Sequence, residues 1–169
     1  RPARIITTAK AAKPTMKGRT GTQQWGPSGA IIWSTPIIDA KRNLLYVGTG
    51  ENTSAPATDT SDAILAIRMD DGALAWKFQA TPNDIFLTGC MNDPPGPNCP
   101  PADSINTDWD FGAGIMLGNK SDGSDLVRAG QKNGVQDDLQ IRIEIVDPLV
   151  HALAGMSTRV IGKTEVELD

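Results

Sequence analysis

Two short apolar runs joined by a three-residue turn constrain this chain more than any other feature: "DAILAIRM", "DDG" and "ALAWKFQA" fill residues 62–80. Each run has the length of a strand, and the turn chemistry is specific. Asp70 and Asp71 can bond local backbone amides, and Gly72 accepts the positive φ that a tight turn requires. Upstream, "AIIWSTPIID" reads as a strand broken by Pro36, "AKRN" as a turn and "LLYVGTG" as a second strand stopped by glycine. Short strands at close spacing, linked by tight turns, predict antiparallel sheet in an all-β architecture.

The remaining chain is punctuated unevenly. Residues 51–61, "ENTSAPATDTS", are almost all turn formers and predict a loop, and residues 82–107 predict a long proline-rich one. "DWDFGAGIML" restarts a strand, "GNKSDGSD" turns, and "LVRAGQKNG" is a further strand ending on glycine, an echo of the first hairpin that predicts a repeated sheet unit. Beyond Val135 the punctuation disappears. "LQIRIEIV" alternates like a strand, "DPLVHALAGM" carries a helix start and an apolar stripe, and "TRVIGKTEVEL" alternates again, which predicts a divergent β-α-β tail. Three regions follow: an irregular N-terminal approach over 1–29, a sheet region over 30–135 and the divergent segment 136–169.

Composition narrows the function classes. At 169 residues, 39% hydrophobic and 21% charged, the chain can bury a core and is neither disordered nor built to sit in a bilayer, and no run approaches a membrane span. A net charge of −4 argues against a nucleic-acid binder, which needs a basic surface to displace counterions. The local basic cluster at Arg1, Arg4, Lys10, Lys13, Lys17 and Arg19 reads as a solvated segment. A start at Arg1 without a charged-then-apolar leader reads as a processed or truncated product. Cys90 and Cys99, the only cysteines, close a short Pro- and Gly-rich loop and read as a local disulfide, with two free thiols as the alternative. The disulfide reading places the protein in an oxidising compartment.

The ordered motifs "GPSGAIIWSTPIIDAKRNLLYVGTGEN", "ILAIRMDDGALAWKFQATPNDIF" and "AGQKNG" resemble those of quinoprotein alcohol dehydrogenases, β-propellers that bind pyrroloquinoline quinone, and within them the branch acting on polyvinyl alcohol. The resemblance covers about residues 13–135. It implies a partial propeller of about two to three antiparallel four-stranded blades, in which Ala66, Gly72 and Trp76 match the tryptophan-docking pattern that staples one blade to the next. It implies that Trp33 floors the quinone and that Lys132 sits near the quinone oxygens, stabilising charge during reduction. It implies calcium as a second cofactor, held by Glu51 or, after a one-residue shift, by Asn52. Taken alone, Trp33 reads also as core packing, Lys132 as a solvated turn lysine, and Glu51 and Asn52 as caps of a surface turn. The implied partners are an alcohol substrate, a cytochrome c electron acceptor, and the remaining blades or further copies of the chain; the implied location is the periplasm.

One departure stands out. After "TPND" the family carries an aromatic residue and then the aspartate that acts as general base; here those positions are Phe86 and Leu87, and leucine cannot take a proton. Asp84 lies nearby and Asp108 or Asp110 could approach from the next strand, though each reads first as structural. The alternative reading is therefore a non-catalytic propeller scaffold that lacks its base.

Overall fold

A computed structural model of the chain describes residues 11–100, 107–119, 121 and 125–132, and the backbone of 141–142. Its architecture is all-β and antiparallel, with one short 3-10 turn at Thr88–Met91. One complete four-stranded meander forms its centre: β4 (Ile37–Asp39), β5 (Leu44–Asn52), β6 (Ala63–Arg68) and β7 (Leu74–Gln79), paired in that order. Such a meander is what one blade of a propeller requires. β3 (Ala30–Ile32) pairs with the far end of β5, so Pro36 divides one long edge into two short strands on the same neighbour.

The turns close as their residues dictate. Gly72 has φ +69° and Asn43 has φ +55°, the left-handed region that glycine and asparagine tolerate best. The Ala73 amide donates to Asp71 Oδ1 at 2.9 Å, and the Arg68 guanidinium pairs with the same carboxylate across the turn.

Because β6 lies between two other strands and both its faces are covered, it is an unbroken buried run rather than an alternating one. Tyr46, Ile64 and Ala66 meet Phe111, Ile115, Val127 and Ala129 on one face; Val47, Ala63, Leu65 and Ile67 cluster on the other. Each large side chain buried in this way stabilises the fold by roughly 1.5–3 kcal/mol. Trp76 stands opposite Ala66 in the β6–β7 register and tilts against Tyr46, ring centroids 5.6 Å apart, so these docking-motif positions do meet on one face.

A second sheet orders β10 (Ile141–Arg142), β9 (Asp125–Arg128) and β8 (Met116–Asn119). It packs on the first through Ile115, Val127 and Ala129, and Arg42 ties the two by pairing with both Asp39 and Asp125. The strand expected over "DWDFGAGIML" begins only at Met116; residues 108–115 form no regular element, and the Phe111 amide donates to the Thr49 carbonyl of β5.

The N-terminal approach is more ordered than its sequence predicts, because β1 (Lys13–Lys17) and β2 (Gln23–Gly26) form a hairpin. It has no apolar alternation to read: in β2 only Gln24 and Gly26 are buried, and Gln24 is held by the Cys99 carbonyl rather than by a core. The helix and final strand expected after residue 142 lie outside the described residues. No helix among them is long and apolar enough to cross a membrane.

Candidate functional site

The site forms where β5 leaves the core. The Trp33 amide donates to the Gly48 carbonyl, the Phe111 amide to Thr49 and the Lys132 amide to Asp110, so backbone rungs line up Trp33, β5, Asp110 and Lys132 side by side. The two glycines are required by space. A Cβ on Gly48 would lie 2.9 Å from the Phe111 carbonyl, and one on Gly50 would collide with the Asp110 carboxylate and the Trp33 indole. The sequence suggests that "GTG" stops the strand, yet β5 continues through Asn52. The glycines instead let an acid and an indole close over the strand.

Glu51 is 6% exposed and its amide donates to Asp110 Oδ1 at 3.1 Å. The Lys132 ammonium donates to Asp108 Oδ1 and to Asp110 Oδ2, both at 2.9 Å, and stands 5.6 Å from the centroid of the half-exposed Trp33 ring, within cation–π range. Glu51, Asp108 and Asp110 each offer a carboxylate oxygen, all within 4.8 Å of one another. One lysine faces three carboxylates, and the charges sort accordingly. Burial, then the hydrogen bond shared with Asp110 and the repulsion of both aspartates, pushes Glu51 up to about 8. Burial would raise Asp110 too, but the hydrogen bonds from Glu51 and Lys132 outweigh it and hold Asp110 below the usual carboxylate range. Hydrogen bonds to Asp108 and Asp110 raise Lys132 well above an ordinary ammonium.

Glu51 Oε2 is buried with no hydrogen-bond partner among the described residues. An orphaned carboxylate oxygen beside two others, all hard donors, fits a calcium ion that takes part of its coordination from a ligand. Asn52 is not part of that set. Its amide oxygen accepts from the Thr58 amide at 2.7 Å and the Thr58 hydroxyl at 3.1 Å, and neighbouring strand residues face opposite ways. Asn52 fastens the 53–58 loop, so of the two ligands considered in the sequence only Glu51 reaches the acidic cluster.

Cys90 and Cys99 are bonded, and the Arg19 guanidinium and Gln24 amide hold the carbonyls of Pro100 and Cys99 against the N-terminal hairpin. The loop they close separates Leu87 from Asp110. Leu87 precedes the 3-10 turn and lines a cavity away from the cluster, whereas Asp110, directly after Trp109, stands within it. An aromatic followed by an acid is legible in "DWDFG", on the far side of the disulfide loop from "TPND".

Sequence reasoning weighs Asp110, reading it as structural, but misses Asp62, fully buried with both carboxylate oxygens unpartnered among the described residues. Burial, then repulsion from Asp84, Asp110 and Asp108, pushes it up to about 8. Asp84 has a structural role: it accepts from both the amide and the hydroxyl of Thr107, tying down the far end of the long loop.

No protein-family model matches the chain. Over 130 residues it is 35% identical to a polyvinylalcohol dehydrogenase of Sphingopyxis sp. (strain 113P3), a match covering 76% of this chain and 20% of that protein. A polyvinylalcohol dehydrogenase of Pseudomonas sp. is 36% identical over 131 residues, 78% of this chain and 20% of the relative. The chain is related to the quinoprotein alcohol dehydrogenases. The quinohemoprotein alcohol dehydrogenase ADH IIB of Pseudomonas putida extends the likeness, at 39% identity over 76 residues, 39% of this chain and 11% of that one. The chain thus spans about a fifth of the length of its polyvinylalcohol dehydrogenase relatives, and the single complete meander is one blade's worth of quinoprotein propeller.

Proposed function

We propose that this segment works within a complete quinoprotein propeller that oxidises alcohols, with polymeric secondary alcohols as the substrate class and a cytochrome as electron acceptor. The carrying observation is the carboxylate trio under Lys132, buried Glu51 and Asp110 with partly exposed Asp108, beside an exposed indole. In this reading Trp33 provides the flat apolar surface that a planar tricyclic quinone needs. Glu51 and Asp108 hold calcium. When bound, the quinone supplies the two-electron acceptor that no side chain of the protein provides.

Asp110 is the residue placed to take the hydroxyl proton of the alcohol. It is ionised, desolvated and oriented by the Glu51 amide and the Lys132 ammonium, which is the preparation a general base requires. Lys132 remains charged and stabilises negative charge that develops beside it. An oxidising periplasm accords with the Cys90–Cys99 bond.

The test is a titration of the propeller containing this segment with pyrroloquinoline quinone and calcium, followed by alcohol-dependent dye reduction. Expected are a quinone absorbance shift that needs calcium, and activity that Asp110→Asn lowers at least 100-fold. Leu87→Asp is expected to add no turnover of a short alcohol, since Leu87 lies outside the cluster. Quinone binding with full activity in Asp110→Asn would overturn the assignment of the base. No binding and no activity in the unmodified protein would favour the scaffold reading.

A further inference from the structure

A second cavity, of about 340 Å³, opens between the N-terminal hairpin and the disulfide loop. Gln23, Gln24 and Trp25 of β2 line it, facing Thr53, Ser54, Leu87 and Asn98. We propose that it binds successive hydroxyl-bearing units of a neutral chain whose reacting carbinol lies at Asp110. This inference rests on the alcohol-oxidising reading and adds to it a place for the rest of the substrate.

The lining specifies the chemistry. None of these residues is charged, so an ionised ligand would be desolvated without a counter-charge. The indole of Trp25 is 58% exposed and Leu87 is apolar, which together suit the C–H faces of an aliphatic chain. Three amides and two hydroxyls stand beside these apolar surfaces, and both kinds of group can donate to and accept from an alcohol. An apolar backbone bearing regularly spaced hydroxyls meets both demands at once.

The walls are preformed. Ser28 Oγ accepts from the amides of Thr53 and Ser54 at 2.9 and 3.3 Å, and Gly26 has no side chain where the Ala55 carbonyl crosses it. The Phe86 amide donates to the Asn52 carbonyl, the Cys90 amide to that of Leu87, and the Gln24 amide to that of Cys99. One wall is also continuous with the catalytic cluster. Thr53 and Ser54 directly follow Glu51 and Asn52, so Ser54 lies within about 11 Å of Glu51 along the chain. A chain substrate can therefore reach both places, while a short alcohol reaches only one.

The experiment compares the quinone- and calcium-loaded propeller with its Trp25→Ala and Asn98→Ala variants on a vinyl-alcohol oligomer and on 2-propanol. The expected result is a KM for the oligomer raised about 5- to 20-fold in each variant, with kcat/KM for 2-propanol unchanged. Equal losses on both substrates, or none on either, would overturn the proposal. Trp25→Phe, which keeps an aromatic surface, is expected to restore most of the oligomer KM and guards against misfolding in the alanine variant. Should the unmodified protein oxidise no alcohol, the oligomer is titrated into the quinone-free protein and the Trp25 indole N–H resonance followed. A saturable shift, absent with a neutral tripeptide, keeps the subsite while refuting the oxidation. No shift, or an equal one with the peptide, removes the subsite as well.

Discussion

At the scale of single residues, Gly50 has the least latitude. Its missing side chain makes room for Asp110 and Trp33 together, so Gly50→Ala must push one of them aside. The expected outcome is a fall in quinone affinity of at least tenfold, read by absorbance titration, with the fold retained by circular dichroism. Glu51 links metal binding to pH. Below about 8 it keeps a proton that calcium must displace, so calcium affinity is expected to rise toward tenfold per pH unit up to that point and then level off. Calorimetry at pH 6.5, 7.5 and 9 reads this directly. Asp62 acts on stability with a defined sign. Its folded-state value of about 8 lies above the ordinary 3.8, so the stability it contributes is complete below 3.8 and is lost as pH rises through about 8. Denaturation of the metal-free protein should therefore become easier between about pH 4 and 8, and Asp62→Asn should flatten that decline. A decline of equal slope in the variant would assign the pH dependence to another group.

At the scale of elements, β5 and the 108–115 segment are the joint on which core and site both depend. Phe111 is fully buried between the two sheets, and Phe111→Ala is expected to cost about 3–5 kcal/mol, read as a lower urea midpoint. The disulfide loop is an element of a different kind, with little apolar burial of its own. Cys90→Ser is expected to cost about 2–4 kcal/mol and to weaken the Trp25 cavity, whose wall the loop supplies, while leaving the Glu51–Asp110 contact intact. Strands with tight turns were legible at this scale because turn chemistry is local. The β1–β2 hairpin was not, because it is held by distant carbonyls at Cys99 and Pro100 that no window of sequence contains.

At the scale of the whole molecule, several exposed apolar residues lie on the outer strands of the central sheet. Ile31, Ile32 and Ile38 on the β3–β4 edge and Leu74 on β7 are each more than 40% exposed. Unpaired strand edges and uncovered apolar side chains associate. The segment expressed alone is expected to sediment as oligomers, and monomeric behaviour with an intact sheet would argue against a place between other blades.

Particular residues divide what was legible from what was not. The apolar runs, the "DDG" turn and the order of motifs determined an all-β meander and its quinoprotein relationship, because strand pairing between neighbours and turn geometry are decided within a few residues. The "GTG" stretch announced a close approach by something. Only the tertiary structure decided that Trp33 and Asp110 make that approach, that Asn52 faces the loop, and that Asp110 lies in the acidic cluster while Leu87 lines another cavity. The meeting of Asp110 with Glu51 joins residues 59 apart, and the free energy of burying and pairing a carboxylate exists only once such segments have met.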